Sequence, residues 1–133
     1  MGIMVELLRQ TKTIAVVGLT PGRESEPVAK YLQEQGYRVI PVNPQFSEVL
    51  GERSYPDLDS VPVPADIVNV FRRPEYVGEV VEAAVRLKAK AVWMQLHVVN
   101  EAAADAARRA GLHVVMDKCI HCEHKRLREM GEL

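Results

Sequence analysis

Apolar residues in this chain follow two rhythms that take turns along its length. Runs dominated by apolar residues, the first of them uninterrupted and mostly β-branched, fall at 13–19, 37–42, 66–71, 91–95 and 113–117. They show no polar alternation, and a strand of that kind is buried on both faces, as in a parallel sheet covered by helices. Between the runs the period lengthens to that of a helix. Val28, Tyr31, Leu32 and Gln35 stand at i, i+3, i+4 and i+7 and predict a helix over 26–35, closed by Gly36. Pro74 opens a helix whose apolar stripe is Val77, Val80, Val81, Ala84 and Val85. Asn100 caps an alanine-rich helix over 101–110 that Gly111 ends, and a last helix covers 119–130. Met4, Val5, Leu7 and Leu8 predict a short leading helix. The stretch 51–64, rich in turn residues, predicts an irregular segment with one helical turn.

Strands alternating with helices call for right-handed crossovers and a parallel sheet. The expected fold is α/β: a Rossmann-like doubly wound parallel five-stranded sheet with helices on both faces. Counting strands along the chain, its expected order is 3-2-1-4-5. At 133 residues the chain forms one domain over 1–133, large enough for a core without staples. A net charge of -1 gives no electrostatic reason to expect nucleic acid or an anionic membrane as partner. The apolar runs are too short to span a bilayer, no signal-peptide pattern opens the chain, and the two cysteines fit a reducing compartment. The expected location is the cytoplasm.

In such a sheet a ligand sits outside the carboxyl ends of the strands, at the switch point, here expected between strands 1 and 4. Four segments then line the crevice: 19–25, 42–44, 71–73 and 95–97. The first is the most informative. A buried strand stops at Gly18, turns through Thr20-Pro21-Gly22-Arg23, and a helix begins near Ser25. Backbone N–H groups there converge beside the positive end of a helix dipole, which is a phosphate site. Arg23, Arg72 and Arg73 add guanidinium groups suited to phosphate oxygens. After the second strand, where NAD enzymes place an acid for the ribose hydroxyls, this chain has Val42-Asn43-Pro44. Gly18 and Gly22 also do not make the dinucleotide glycine pattern. The apolar Val-Asn-Pro shelf suits an adenine ring.

These residues carry a resemblance. Val16-Val17-Gly18-Leu19-Thr20-Pro21-Gly22-Arg23-Glu24-Ser25, with Tyr31-Leu32, Gly36-Tyr37, Val42-Asn43-Pro44, Gly51, Tyr55, Phe71-Arg72, Trp93-Met94-Gln95 and 115–119 following in order, is similar to the stand-alone CoA-binding protein family. That family resembles the nucleotide-binding N-terminal domain of the succinyl-CoA synthetase alpha subunit. The resemblance implies a CoA or acyl-CoA ligand. Its phospho-ADP part would lie over 18–25 and against Val42, Asn43 and Pro44. Phe71, Arg72 and the turn after Gln95 would flank the pantetheine. At residue 97 the family commonly has glycine, and His97 is expected to narrow the pantetheine path. The synthetase's catalytic histidine belongs to another domain, so the resemblance implies binding and not ligation.

The expected role is a non-catalytic sensor, carrier or regulatory module, its protein partner unspecified. Two alternatives stay open: an NAD(P)- or acyl-CoA-dependent enzyme using His97 as acid/base, and an interaction protein without ligand. The plainer reading of His97 is a partly buried ring bonded to a backbone carbonyl. Trp93, Met94 and Tyr31 read as core. Cys119, His121, Cys122 and His124 interleave two metal-ligand spacings, but at about 100° per residue the cysteines and histidines point to nearly opposite helix faces. No metal site is expected. A redox Cys-x-x-Cys is not expected either, for want of a strand leading into a helix start. One buried cysteine on an amphipathic helix is the expected arrangement.

Overall fold

The computed structural model describes residues 2–133. In chain order the elements are α1 (Ile3–Gln10), β1 (Thr13–Val17), α2 (Ser25–Glu34), β2 (Arg38–Val42), β3 (Glu48–Val49) and β4 (Glu52–Arg53). They continue with β5 (Ile67–Val70), α3 (Val77–Arg86), β6 (Ala91–Met94), α4 (Glu101–Arg109), β7 (His113–Val115) and α5 (Ile120–Glu129). Short 3-10 turns stand at Leu58–Ser60 and Pro74–Tyr76. The five apolar runs are the strands β1, β2, β5, β6 and β7 of one all-parallel sheet.

Alternation along each strand divides the core in two. Ala15, Val17, Val68, Val70, Val92 and Met94 pack with α3 and α4 on one face. Ile14, Val16, Ile67 and Trp93 pack with α1, α2 and α5 on the other. Trp93 and Met94 have no exposed surface, as expected of core residues. Asn69, at the centre of β5, is also fully buried, and neither of its side-chain polar atoms has a protein partner. Asn100 caps α4 as expected, its Oδ1 accepting from the Ala103 N–H at 2.9 Å.

The strand order differs from the expected 3-2-1-4-5. The sheet runs β2-β1-β5-β6-β7, which in terms of the five long strands is 2-1-3-4-5. The physical reason is Pro41, which has no N–H to donate and so belongs on an edge strand. β2 is that edge: Pro41 pairs with Val16 on its inner side, and its carbonyl accepts from the Tyr55 N–H at 3.0 Å on its outer side. On that side the pairing goes no further than an isolated parallel bridge between Val42 and Tyr55. The switch point therefore lies between β1 and β5.

The segment 51–64 is less irregular than expected. β3 and β4 form a small hairpin whose turn residues, Leu50 at φ 54° and Gly51 at φ 76°, both take the left-handed conformation that tight hairpins use. Among the described residues no helix is long and apolar enough to cross a membrane.

Candidate functional site

The first turn of the crevice is fixed at Gly18. Its φ is +90°, and a Cβ there would stand 2.2 Å from the Phe71 carbonyl oxygen, so backbone from β1 and the end of β5 meet at van der Waals limits. The Gly18 N–H donates to the Val42 carbonyl at 2.8 Å, which ties the same point to the end of β2. Three strand ends thus converge on one glycine.

The loop beyond it is held by side chains predicted to meet a ligand. Ser25 is buried, and its Oγ accepts from the Thr20 N–H at 2.9 Å. Thr20 Oγ1 donates to the Gly18 carbonyl at 2.9 Å. Asn43 is also buried; its amide donates to the Leu19 carbonyl and to Thr20 Oγ1, both at 3.1 Å, while its Oδ1 accepts from the Gln45 N–H. Ser25 and Asn43 therefore build the elbow. Pro21, Gly22 and Arg23 are exposed at its tip, where the Gly22 N–H donates to Glu26 Oε1 at 3.2 Å.

Two adjoining cavities lie beside this elbow and share Phe71 and Arg72. One, of about 330 Å³, is bounded by Gly18, Thr20, Val42, Asn43 and Pro44. The other, of about 460 Å³, has Val28, Leu96, Val98 and Pro74 as apolar wall, with Gln95, His97 and Cys119 around it. Of the predicted site residues, Gly18, Thr20, Val42, Asn43, Pro44, Phe71, Arg72, Gln95 and His97 line one or both cavities. Pro21, Gly22, Arg23 and Ser25 line neither. The Arg72 guanidinium stands 4.7 Å from the centre of the Tyr76 ring, a cation–π contact that fixes its direction at the junction of the cavities. Gln95 is buried, and its Oε1 accepts from the Ile120 N–H at 3.0 Å, satisfying the start of α5.

His97 departs from the partly buried ring expected of it. The residue is exposed and has φ +71°, a conformation that costs a side-chain-bearing residue free energy and that glycine adopts freely. Its backbone N–H donates to Asp117 Oδ1 at 2.7 Å. Asp117, absent from the local sequence around His97, arrives from the end of β7.

The helix α5 closes the same side of the molecule. Tyr31 of α2 carries both histidines: its ring stacks on His121 with centroids 3.9 Å apart, and its hydroxyl lies 2.8 Å from His124 Nδ1. Tyr31 is thus half-buried, at an interface and not in the deep core. Burial, then the charges of Arg128 and His121, hold the His124 imidazole below its ordinary pKa. Burial pushes the Tyr37 phenol, beside His124, up to about 12. Neither cysteine is buried as expected: Cys119 is half-exposed in the cavity wall and Cys122 is exposed. Leu96 falls in the expected segment 95–97, whereas Val28, within α2, and Cys119, at the start of α5, lie outside the four expected segments and carried no local signal for the cavity wall.

Comparison with known proteins gives the family and the fold. The profile of the CoA binding domain family matches residues 12–125. The chain is 43% identical over 121 residues to the uncharacterized protein YneT of Bacillus subtilis (strain 168), covering 90% of each. A hypothetical protein from Pyrococcus horikoshii OT3 has a similar structure, with a TM-score of 0.91 and 41% identity over 94% of this chain and 89% of that one. A dinucleotide-forming acetyl-coenzyme A synthetase 1 of Ca. Korarchaeum cryptofilum shares the fold at 22% identity and a TM-score of 0.72, over 85% of this chain and 28% of the synthetase. The chain belongs to the CoA-binding domain family.

Proposed function

We propose that the protein binds coenzyme A or an acyl-CoA and serves as a non-catalytic sensor, carrier or regulatory module. The observation that carries this reading is the pair of adjoining cavities meeting at Phe71 and Arg72. A long ligand with an anionic nucleotide at one end and a narrow arm at the other suits such a pair. The adenine rests on Val42, Asn43 and Pro44. Arg72 and, from the loop tip, Arg23 meet phosphates; Thr20, Pro21 and Gly22 shape the turn beside them, the Thr20 and Gly22 N–H groups being bonded to Ser25 and Glu26. The pantetheine arm runs past Phe71 toward Gln95 and His97, along the apolar wall of Val28 and Val98. Family membership supports the ligand class. The family resemblance and the cavity lining together support the residue contacts.

A thermal-shift series tests the reading. CoA at a hundredfold excess over its dissociation constant stabilises the folded state by about 2.7 kcal/mol, because it binds that state alone. NAD at the same concentration leaves the melting temperature in place. A shift with NAD and none with CoA contradicts the proposal. In the same assay, Arg23→Ala weakens CoA more than dephospho-CoA if Arg23 meets the 3′-phosphate, and equal losses remove that role.

A further inference from the structure

Two thiols lie where the larger cavity meets the start of α5. Cys119 takes the N-cap position with extended backbone (φ -82°, ψ 118°), and Cys122 follows three residues later in the first helical turn. β7 ends at Val115 and α5 starts at Ile120, so the motif does sit between a strand end and a helix start, the setting it was expected to lack. Side chains three apart on a helix are neighbours, about 5–6 Å between Cβ atoms. That spacing needs only a small adjustment to close a disulfide. The Ile120 N–H is taken by Gln95, and the Cys119 side chain makes no capping bond. The remaining first-turn N–H groups and the positive end of the helix dipole are therefore available to a thiolate at residue 119. Cys119 lines the cavity, whereas Cys122 is exposed and not part of the lining.

We propose that Cys119 and Cys122 form a thiol–disulfide couple that exchanges with a low-molecular-weight disulfide admitted through the cavity of about 460 Å³. The preference for a coenzyme A disulfide rests on the ligand reading above; the couple itself does not.

The Cys119 thiolate attacks one sulfur of the disulfide R–S–S–R. The bond from Cys119 to that sulfur forms as the ligand's S–S bond breaks, and one thiolate leaves with the electron pair and takes up a proton. Cys122 then loses its proton and attacks the Cys119 sulfur. The second R–S⁻ departs, is protonated, and a Cys119–Cys122 disulfide remains. The protein dithiol is oxidised by two hydrogens and the ligand is reduced to two thiols. The neighbouring Cys119 thiol, then burial, push the Cys122 thiol up from its ordinary pKa, which leaves the first attack to Cys119.

The test treats the reduced full chain with coenzyme A disulfide or, separately, with bis(2-hydroxyethyl) disulfide, followed by intact-mass analysis and alkylation. The wild type is expected to lose two hydrogens and to protect both cysteines from alkylation. Cys122→Ser stops at a mixed disulfide on residue 119, and Cys119→Ser forms no internal disulfide. Coenzyme A disulfide reacts about tenfold faster or more, through positioning in the cavity. If both cysteines of the folded wild type stay alkylatable after either disulfide, the couple is overturned, whatever CoA binding does. Formation of the internal disulfide at equal rates with both probes supports the couple and counts against seating of CoA in this cavity. Calorimetric titration of CoA into Cys119→Ser reads the binding proposal separately.

Discussion

A methyl group on residue 18 would stand 2.2 Å from the Phe71 carbonyl oxygen, on backbone already at φ +90°. Neither the ends of β1 and β5 nor the β2 carbonyl bonded to Gly18 can give way without parting the strand ends. Gly18→Ala is therefore expected to destabilise the fold by about 2–4 kcal/mol in urea unfolding. A loss under half a kcal/mol would show that the strand ends relax. At residue 97 the sign reverses. His97 has the left-handed φ of +71° and its ring is exposed. His97→Gly relieves the strain, offset in part by the freer unfolded chain, and should stabilise by up to about 1 kcal/mol. A clear loss of stability would mean that the imidazole itself holds the turn. Residues that look alike in the sequence, each read as lining the crevice, divide on this scale. Ser25 and Asn43 spend their hydrogen bonds on the loop, while Arg72 stands at the cavities' junction.

Among the elements, α5 is the one whose docking depends on titratable groups. It meets α2 through Tyr31, His121 and His124. The Arg128 guanidinium also donates to Gln35 Oε1 at 2.9 Å. Burial is the largest cause that lowers both histidines below their ordinary pKa, with Arg128 and His121 adding to it at His124 and Lys125 at His121. The unfolded chain therefore binds protons before the folded one does. Stability from these groups is fully present above about pH 6.5 and falls as the pH drops through that value toward the lower folded pKa. Urea midpoints measured across this window should decline with acidity, and His124→Asn should flatten the decline. An unchanged slope in the variant would assign the pH dependence elsewhere. β2 teaches a different lesson. Its apolar run is legible, and so was its edge position, because Pro41 lacks the N–H that an inner strand needs. The expected order 3-2-1-4-5 overlooked that residue. The hairpin of β3 and β4 was not legible, since two-residue strands leave no periodicity to read.

On the scale of the whole molecule, the two-faced sheet, its helices and the crevice at its carboxyl edge follow from rhythms and turn residues near one another in the chain. What the sequence leaves out is assembled across distance. Asp117 meets the His97 backbone from the end of β7, Cys119 joins Val28 in a cavity wall, and Tyr31 finds His124 from the far end of the chain. No local pattern encodes those meetings; the crossovers bring them about. The strand order shifts the switch point to β1 and β5, and the convergence at Gly18 and Phe71 falls between those two strands.

Calorimetric titration of coenzyme A into the purified protein, beside Arg72→Ala, bears most directly on the crevice as a nucleotide-thiol site. One equivalent should bind to the wild type, and loss of a charge-assisted contact to phosphate should weaken the variant about tenfold to a hundredfold. Absence of binding to the folded wild type at millimolar ligand, or equal affinity in both proteins, would contradict the account.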